Sequence, residues 1–265
     1  LALAATPAHA QQGVSKTEIV IGTATDLSGP IAAWGKDYAN GAKLRVAEIN
    51  EQGGIHGRKL KLLIEDNGYD PKKTVLATQK LVNQEKIFAM VGLMGTAAAI
   101  AAMPVILDKN VISFMPMSNA RDMYEPVHKL KFGFTTPNYD GMMNSTPRVY
   151  QATKSAKACA LLQDDEFGQE VLKGAEAGLK TINAEIHEKT TFKRGATDFA
   201  SQVLRLRQAN CDFIILGTQL RETVGSIAEM RKLGFNPTLM GSSSAYTELI
   251  PRIGGKGMDG LYADM

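Results

Sequence analysis

The sequence predicts an α/β protein built as two doubly wound parallel-sheet lobes joined near residues 135–144. Short β-branched runs alternate with amphipathic helical stretches, and this alternation is written twice, on either side of a segment rich in Thr, Pro, Asn and Gly at residues 135–144. The length, 265 residues, accommodates two domains of ordinary size. Strands alternating with helices give parallel sheets covered on both faces, and each series closes its own sheet.

In the first series, residues 19–24 (IVIGTA) form a buried strand. Residues 34–51 follow with Ala39, Ala42, Val46 and Ile49 at helical spacing, and Gly53-Gly54 terminates that helix. Residues 59–66 are the second strand. Asp70-Pro71 opens the next helix, with proline at the first helical position, where its missing N–H costs nothing. Residues 88–91 and 111–115 are strands flanking a helix over 96–109. In the second series, residues 158–162, 185–191, 212–216 and 238–241 are strands. Helices occupy 168–183, 198–208 and 222–233; the first carries Val171, Leu172, Ala175, Leu179 and Ile182 on one face, and Asp198 is expected to cap the second. The domain reading is a leader remnant at 1–12, a first lobe at 13–137 and a second at 138–265.

The first ten residues, LALAATPAHA, join an apolar run to small residues spaced Ala-x-Ala at Ala8 and Ala10. This matches the latter part of a secretory signal peptide cleaved after Ala10. The mature chain is then exported. An apolar fraction of 44% is that of a globular protein, and a net charge of +3 without a basic run gives no argument for nucleic acid. Cys159 and Cys211 are read as two buried thiols at strand starts, although an exported chain permits a disulfide.

Signatures of catalysis are missing. Gly53-Gly54-x-x-Gly57 follows a helix rather than a strand, so it is no dinucleotide fingerprint. Neither a phosphate-loop motif nor G-x-S-x-G occurs, and His187-Glu188 lacks the second histidine of a zinc-protease helix. His56, His128 and His187 are read as solvated. Asp164-Asp165-Glu166 stands between a strand and a helix, where acids favour the positive helix end, and is read as capping rather than metal-binding. No catalytic residue, metal or cofactor is expected.

The segment Leu27-Ser28-Gly29-Pro30-Ile31-Ala32-Ala33-Trp34-Gly35 resembles the first cleft loop of the leucine/isoleucine/valine-binding protein family, the periplasmic receptors of branched-chain amino-acid type importers. Asn40-Gly41-Ala42, Ile49-Asn50, Gly53-Gly54-Ile55-His56-Gly57-Arg58, Asp66 with Asp70-Pro71, Val91-Gly92, Phe167-Gly168, Asp198-Phe199 and Gly241-Ser242 follow at the family's spacing. The resemblance implies a type I periplasmic-binding fold with a hinge joining the lobes, a periplasmic location, a small-molecule solute held between the lobes, and permease and ATPase subunits of an ABC importer as partners. It also implies a C-terminally truncated chain and an incomplete first lobe, because the family returns to that lobe about where this chain reaches Met265.

From the resemblance, the ligand carboxylate is expected at the helix start Gly95-Thr96-Ala97. Helical N–H groups without partners and the positive helix end favour an anion there, and Thr96 either donates its hydroxyl to the ligand or serves as a helix cap. Met117, Ser118 and Asn119 line the same cleft, with Trp34 and Phe167 as aromatic walls. In the second lobe, Tyr139 and Ser243 stand where amino-acid receptors are expected to carry acids for the ligand's ammonium, and Gln219 replaces a tyrosine. A buried ammonium without a carboxylate partner is costly. The expected solute is therefore an organic carboxylate with an aromatic or bulky apolar body. A branched-chain amino acid is the alternative if Asp140 supplies the acid; Arg121 and Arg221 lie near the cleft loops or face solvent. A ligand-sensing regulatory domain on the same fold is the alternative of another class, and an enzyme a third.

Overall fold

The computed structural model describes residues 11–265 and divides into two units. The leader and its cleavage point at Ala10 lie outside the described residues. The first unit takes in residues 11–28 together with Ala32–Ser118 and Met123–Phe134; the second holds Gly29–Ile31, Asn119–Asp122 and Thr135–Met265.

The first unit is a parallel five-stranded sheet. Its strands are β1 (Glu18–Thr25), β2 (Lys59–Asp66), β3 (Ala89–Val91), β4 (Ile112–Phe114) and β5 (Lys131–Phe132), in the order β2-β1-β3-β4-β5. β1 and β2 pair along their whole length, from Glu18 opposite Lys59 to Thr25 opposite Asp66. Its helices are α1 (Ala32–Glu51), α2 (Pro71–Gln79) and α3 (Thr96–Asp108). Asp70 caps α2 by accepting the Lys73 N–H at 2.9 Å, with Pro71 at the first position as the sequence predicts. Alternate residues of the strands, among them Ile19, Ile21, Leu62, Val91 and Phe114, line an open apolar groove of about 610 Å³ against Ala42, Val46 and Ile49 of α1.

The second unit repeats the architecture. α4 (Asn138–Ala152) leads into β6 (Ala158–Gln163), α5 (Glu166–Lys180), β7 (Ile186–Phe192), α6 (Ala200–Gln208), β8 (Phe213–Gly217), α7 (Leu220–Lys232), β9 (Thr238–Gly241), α8 (Leu249–Gly254) and β10 (Leu261–Ala263). The strand order is β10-β9-β8-β6-β7, and every pairing is parallel. The core gathers Leu162, Phe167, Val171, Ala175, Leu179, Phe213 and Ile215, and the ring of Tyr150 meets Phe213 edge-on with centroids 5.3 Å apart.

The structure amends several local expectations. Residues 138–144 are not a connecting segment but the start of α4. That helix can lie close to α5 because Gly174 faces it: a Cβ on Gly174 would stand 2.4 Å from the Tyr139 carbonyl oxygen. The short strands β5 and β10 and the six-residue helix α8 (Leu249–Gly254) were not expected. Asp198 is one residue too early to be the cap of α6; its carboxylate still accepts the Ala200 N–H at 2.9 Å. Cys159 and Cys211 are not thiols. They form a disulfide that ties β6 to the residues just before β8, with Cα atoms 5.9 Å apart, and both residues are buried.

Candidate functional site

The candidate residues divide between the two units. In the first they follow the carboxyl ends of β1, β3 and β4, the end of a parallel sheet where ligands bind. Trp34 is half-buried on the first turn of α1. The other candidates are drawn together by two loops zipped by backbone bonds: Met117 N–H donates to Leu93 O at 2.8 Å, and Gly95 N–H to Met117 O at 3.2 Å. Buried Asn67 braces the same loop from behind, its amide donating to Met94 O at 3.0 Å.

Gly95, not Thr96, is the residue that caps α3. It sits at φ 102°, a left-handed conformation that glycine adopts without steric cost, and a Cβ there would press on the Tyr69 ring at 2.8 Å. The helical ladder begins with Ala99 N–H to Gly95 O at 2.8 Å, so the N–H groups of Thr96, Ala97 and Ala98 precede it. The reading of Thr96 as a side-chain cap is thereby corrected. Its hydroxyl is instead hydrogen-bonded to that of Ser118 at 3.0 Å, and both residues are buried. Two hydroxyls and three leading N–H groups thus share one helix start, with Ala97 and Ala98 adding no bulk. One hydroxyl of the pair donates to the other, so the leading N–H groups and at most one hydroxyl hydrogen can serve a carboxylate at the positive helix end.

In the second unit, Asn119, Asn138 and Ser243 form a polar chain. Asn119 Nδ2 donates to Ser243 Oγ at 2.7 Å, Ser243 Oγ donates to Asn138 Oδ1 at 3.3 Å, and Asn138 N–H donates to Asn119 O at 2.7 Å. Beneath Ser243 lies Asp264, a buried carboxylate that accepts the backbone N–H groups of Met265 and Ser243. Burial pushes its pKa up against those two bonds. Sequence reasoning missed Asn138 and Asp264; Pro137 just before Asn138 was the available sign of a helix start.

Tyr139 and Asp140 open α4, and both engage Arg121. The guanidinium lies 3.8 Å from the centroid of the Tyr139 ring and forms an ion pair with the Asp140 carboxylate. Arg121 is therefore held against this unit instead of extending into solvent. Gln219 precedes α7 and is buried, its carbonyl accepting the Thr223 N–H at 2.8 Å. Phe167 departs from expectation. It is 3% exposed and packs in the apolar core with Leu162 and Val171, because it lies on the same face of α5 as the other core residues. Its ring serves that core.

The acids after β6 do cap a helix. Asp165 accepts the Phe167 and Gly168 N–H groups at 3.1 and 3.3 Å and pairs with Arg194 at 2.6 Å. Beyond them, Glu222 of α7 is 1% exposed, and its Oε2 has no hydrogen-bond partner. Burial raises its pKa; the Gly195 N–H and Arg221 oppose the rise, and Asp165 adds to it. Among the described residues no group of three or more His, Cys, Asp or Glu side chains could hold a metal, and no helix is long and apolar enough to cross a membrane.

A profile of the periplasmic binding protein family matches residues 18–265. The Leu/Ile/Val-binding protein of Escherichia coli K12 is 25% identical over 244 residues, covering 92% of this chain and 66% of its own length. The chain thus spans just under two thirds of that relative. A possible leucine/isoleucine/valine-binding protein from Rhodopirellula baltica superposes with a TM-score of 0.85 at 20% identity, over 98% of this chain and 70% of that one. A solute-binding protein of an ABC transporter from R. palustris, in complex with 4-hydroxybenzoate, gives 0.79 at 19% identity, over 90% and 65%.

Proposed function

Because this chain belongs to the periplasmic binding protein family, we propose that it is the solute-binding component of an ABC importer and takes up a small organic carboxylate, an aromatic acid in preference to a branched-chain amino acid. The start of α3 carries this reading. Its leading N–H groups and the Thr96–Ser118 hydroxyl pair offer an anion several donors at a positive helix end. The second unit supports the preference among solutes. Asn119, Tyr139, Gln219 and Ser243 offer amide, phenol and hydroxyl groups, and Asp140 is already paired with Arg121. Trp34 and Met117 supply an aromatic face and an adaptable thioether for a ring.

A periplasmic location accords with the disulfide, since such bonds persist in oxidising compartments. The permease and ATPase subunits of the importer are the proposed partners. The relatives above carry binding-protein names, so the reading is a receptor rather than an enzyme. The branched-chain amino-acid reading rests on the name of the Escherichia coli relative; it requires an acid for the ligand's ammonium. A thermal-shift screen of the purified protein against carboxylates and amino acids tests the proposal. Ligands that bind only the folded state raise the melting temperature. A response to benzoates is expected; a response to leucine alone would transfer the assignment to amino acids.

A further inference from the structure

We propose that Arg121 is a specificity-determining residue: by pairing with Asp140 and lying on Tyr139, it withholds the Asp140 carboxylate from a solute's ammonium group. The inference rests on the carboxylate reading above and names what enforces it.

Asp140 lies in the first turn of α4, next to Tyr139. Its side chain is about a third exposed, and its charge is met by the Arg121 guanidinium. Arg121 is itself fixed from two directions. Its guanidinium covers the Tyr139 ring at 3.8 Å, and its backbone N–H bonds Glu170 of α5, whose carboxylate also attracts the guanidinium. The neighbouring charges are Asp122, which repels Glu170, and Lys173, which attracts it. A flat guanidinium can satisfy a carboxylate and cover an aromatic face at once; a lysine ammonium can neutralise the carboxylate but cannot stack as a plane. With the pair intact, an incoming ammonium must compete with Arg121 for Asp140 and meets a cation beside it. With the cation removed, Asp140 becomes a free acceptor at the place where an amino acid needs one.

The test compares leucine with 4-methylpentanoate, the same skeleton without the ammonium, by calorimetric titration of the purified protein. The affinity ratio of leucine to 4-methylpentanoate should rise roughly tenfold to a hundredfold in Arg121→Gln, the usual worth of a hydrogen bond to a charged group. Asp140→Asn added to that variant should return the ratio to its starting value. Arg121→Lys, which keeps the cation, should leave it near that value. If Arg121→Gln does not fold, Arg121→Met keeps a long side chain over the Tyr139 ring and is read in its place. A ratio unmoved by losing the cation, or raised equally with and without Asp140, overturns the proposal. A general loss of fold would weaken both ligands together and could not move the ratio. Wild-type protein that prefers leucine contradicts the carboxylate reading itself; wild-type protein that prefers 4-methylpentanoate, with no shift in the variants, contradicts only the role of Arg121.

Discussion

Replacing both cysteines with alanine should destabilise the second unit and leave the first nearly unchanged. The bond joins positions 52 residues apart, and both ends lie inside that unit. Releasing a loop of this length returns conformational entropy to the unfolded chain worth about 4 kcal/mol at room temperature, on the chain-entropy account. Both residues are buried, at 0% and 3% exposure, so the small voids left by the sulfurs add to the loss. Urea unfolding followed by far-UV circular dichroism reads both units. Trp34, the only tryptophan, reads the first unit alone. The double variant should lose stability in the dichroism transition by roughly 2–5 kcal/mol, the range for removal of a native bridge, while the Trp34 fluorescence transition moves less. Wild-type protein unfolded in reductant should follow the variant. An unchanged dichroism transition, or equal shifts in both signals, would refute this reasoning.

Two further substitutions address the site and its surroundings. Thr96→Val should weaken carboxylate binding by roughly 1–3 kcal/mol, the cost of leaving a charged acceptor short of one donor; it also breaks the Thr96–Ser118 bond, and calorimetry of the folded variant gives the binding loss directly. Glu222→Gln should stabilise the protein increasingly as pH rises. Burial lifts the Glu222 pKa in the fold, so the neutral acid's contribution is complete below the unfolded value and is lost as pH rises through the folded one. Melting curves of the two proteins should converge in acid and separate at neutral pH, and a constant gap across pH would contradict this account.

Much of the fold was legible because local chemistry and burial agree. Residues 59–66 match β2 end for end, and Asp70-Pro71 caps α2 as expected. α4 was hidden because Gly141 and Pro147 lower its helix propensity, while its stability comes from packing against Gly174 of α5. Helical periodicity would have placed Phe167 correctly: it stands four residues before Val171 on the core face of α5. The disulfide depends on a strand pairing that two cysteine positions cannot reveal. At the site, the helix start after the third strand was legible from Gly95-Thr96-Ala97. The Thr96–Ser118 bond, the Arg121–Asp140 pair and the burial of Asp264 beneath the Ser243 N–H were not, since each depends on side-chain geometry between residues about twenty positions apart.

Preference for an aromatic acid over an amino acid is read by calorimetric titration of the purified protein with 4-hydroxybenzoate and with leucine under identical conditions. Saturable binding of the aromatic acid and much weaker binding of leucine are expected, with Asp140 held by Arg121. Tight leucine binding with no heat from the aromatic acid would contradict this preference.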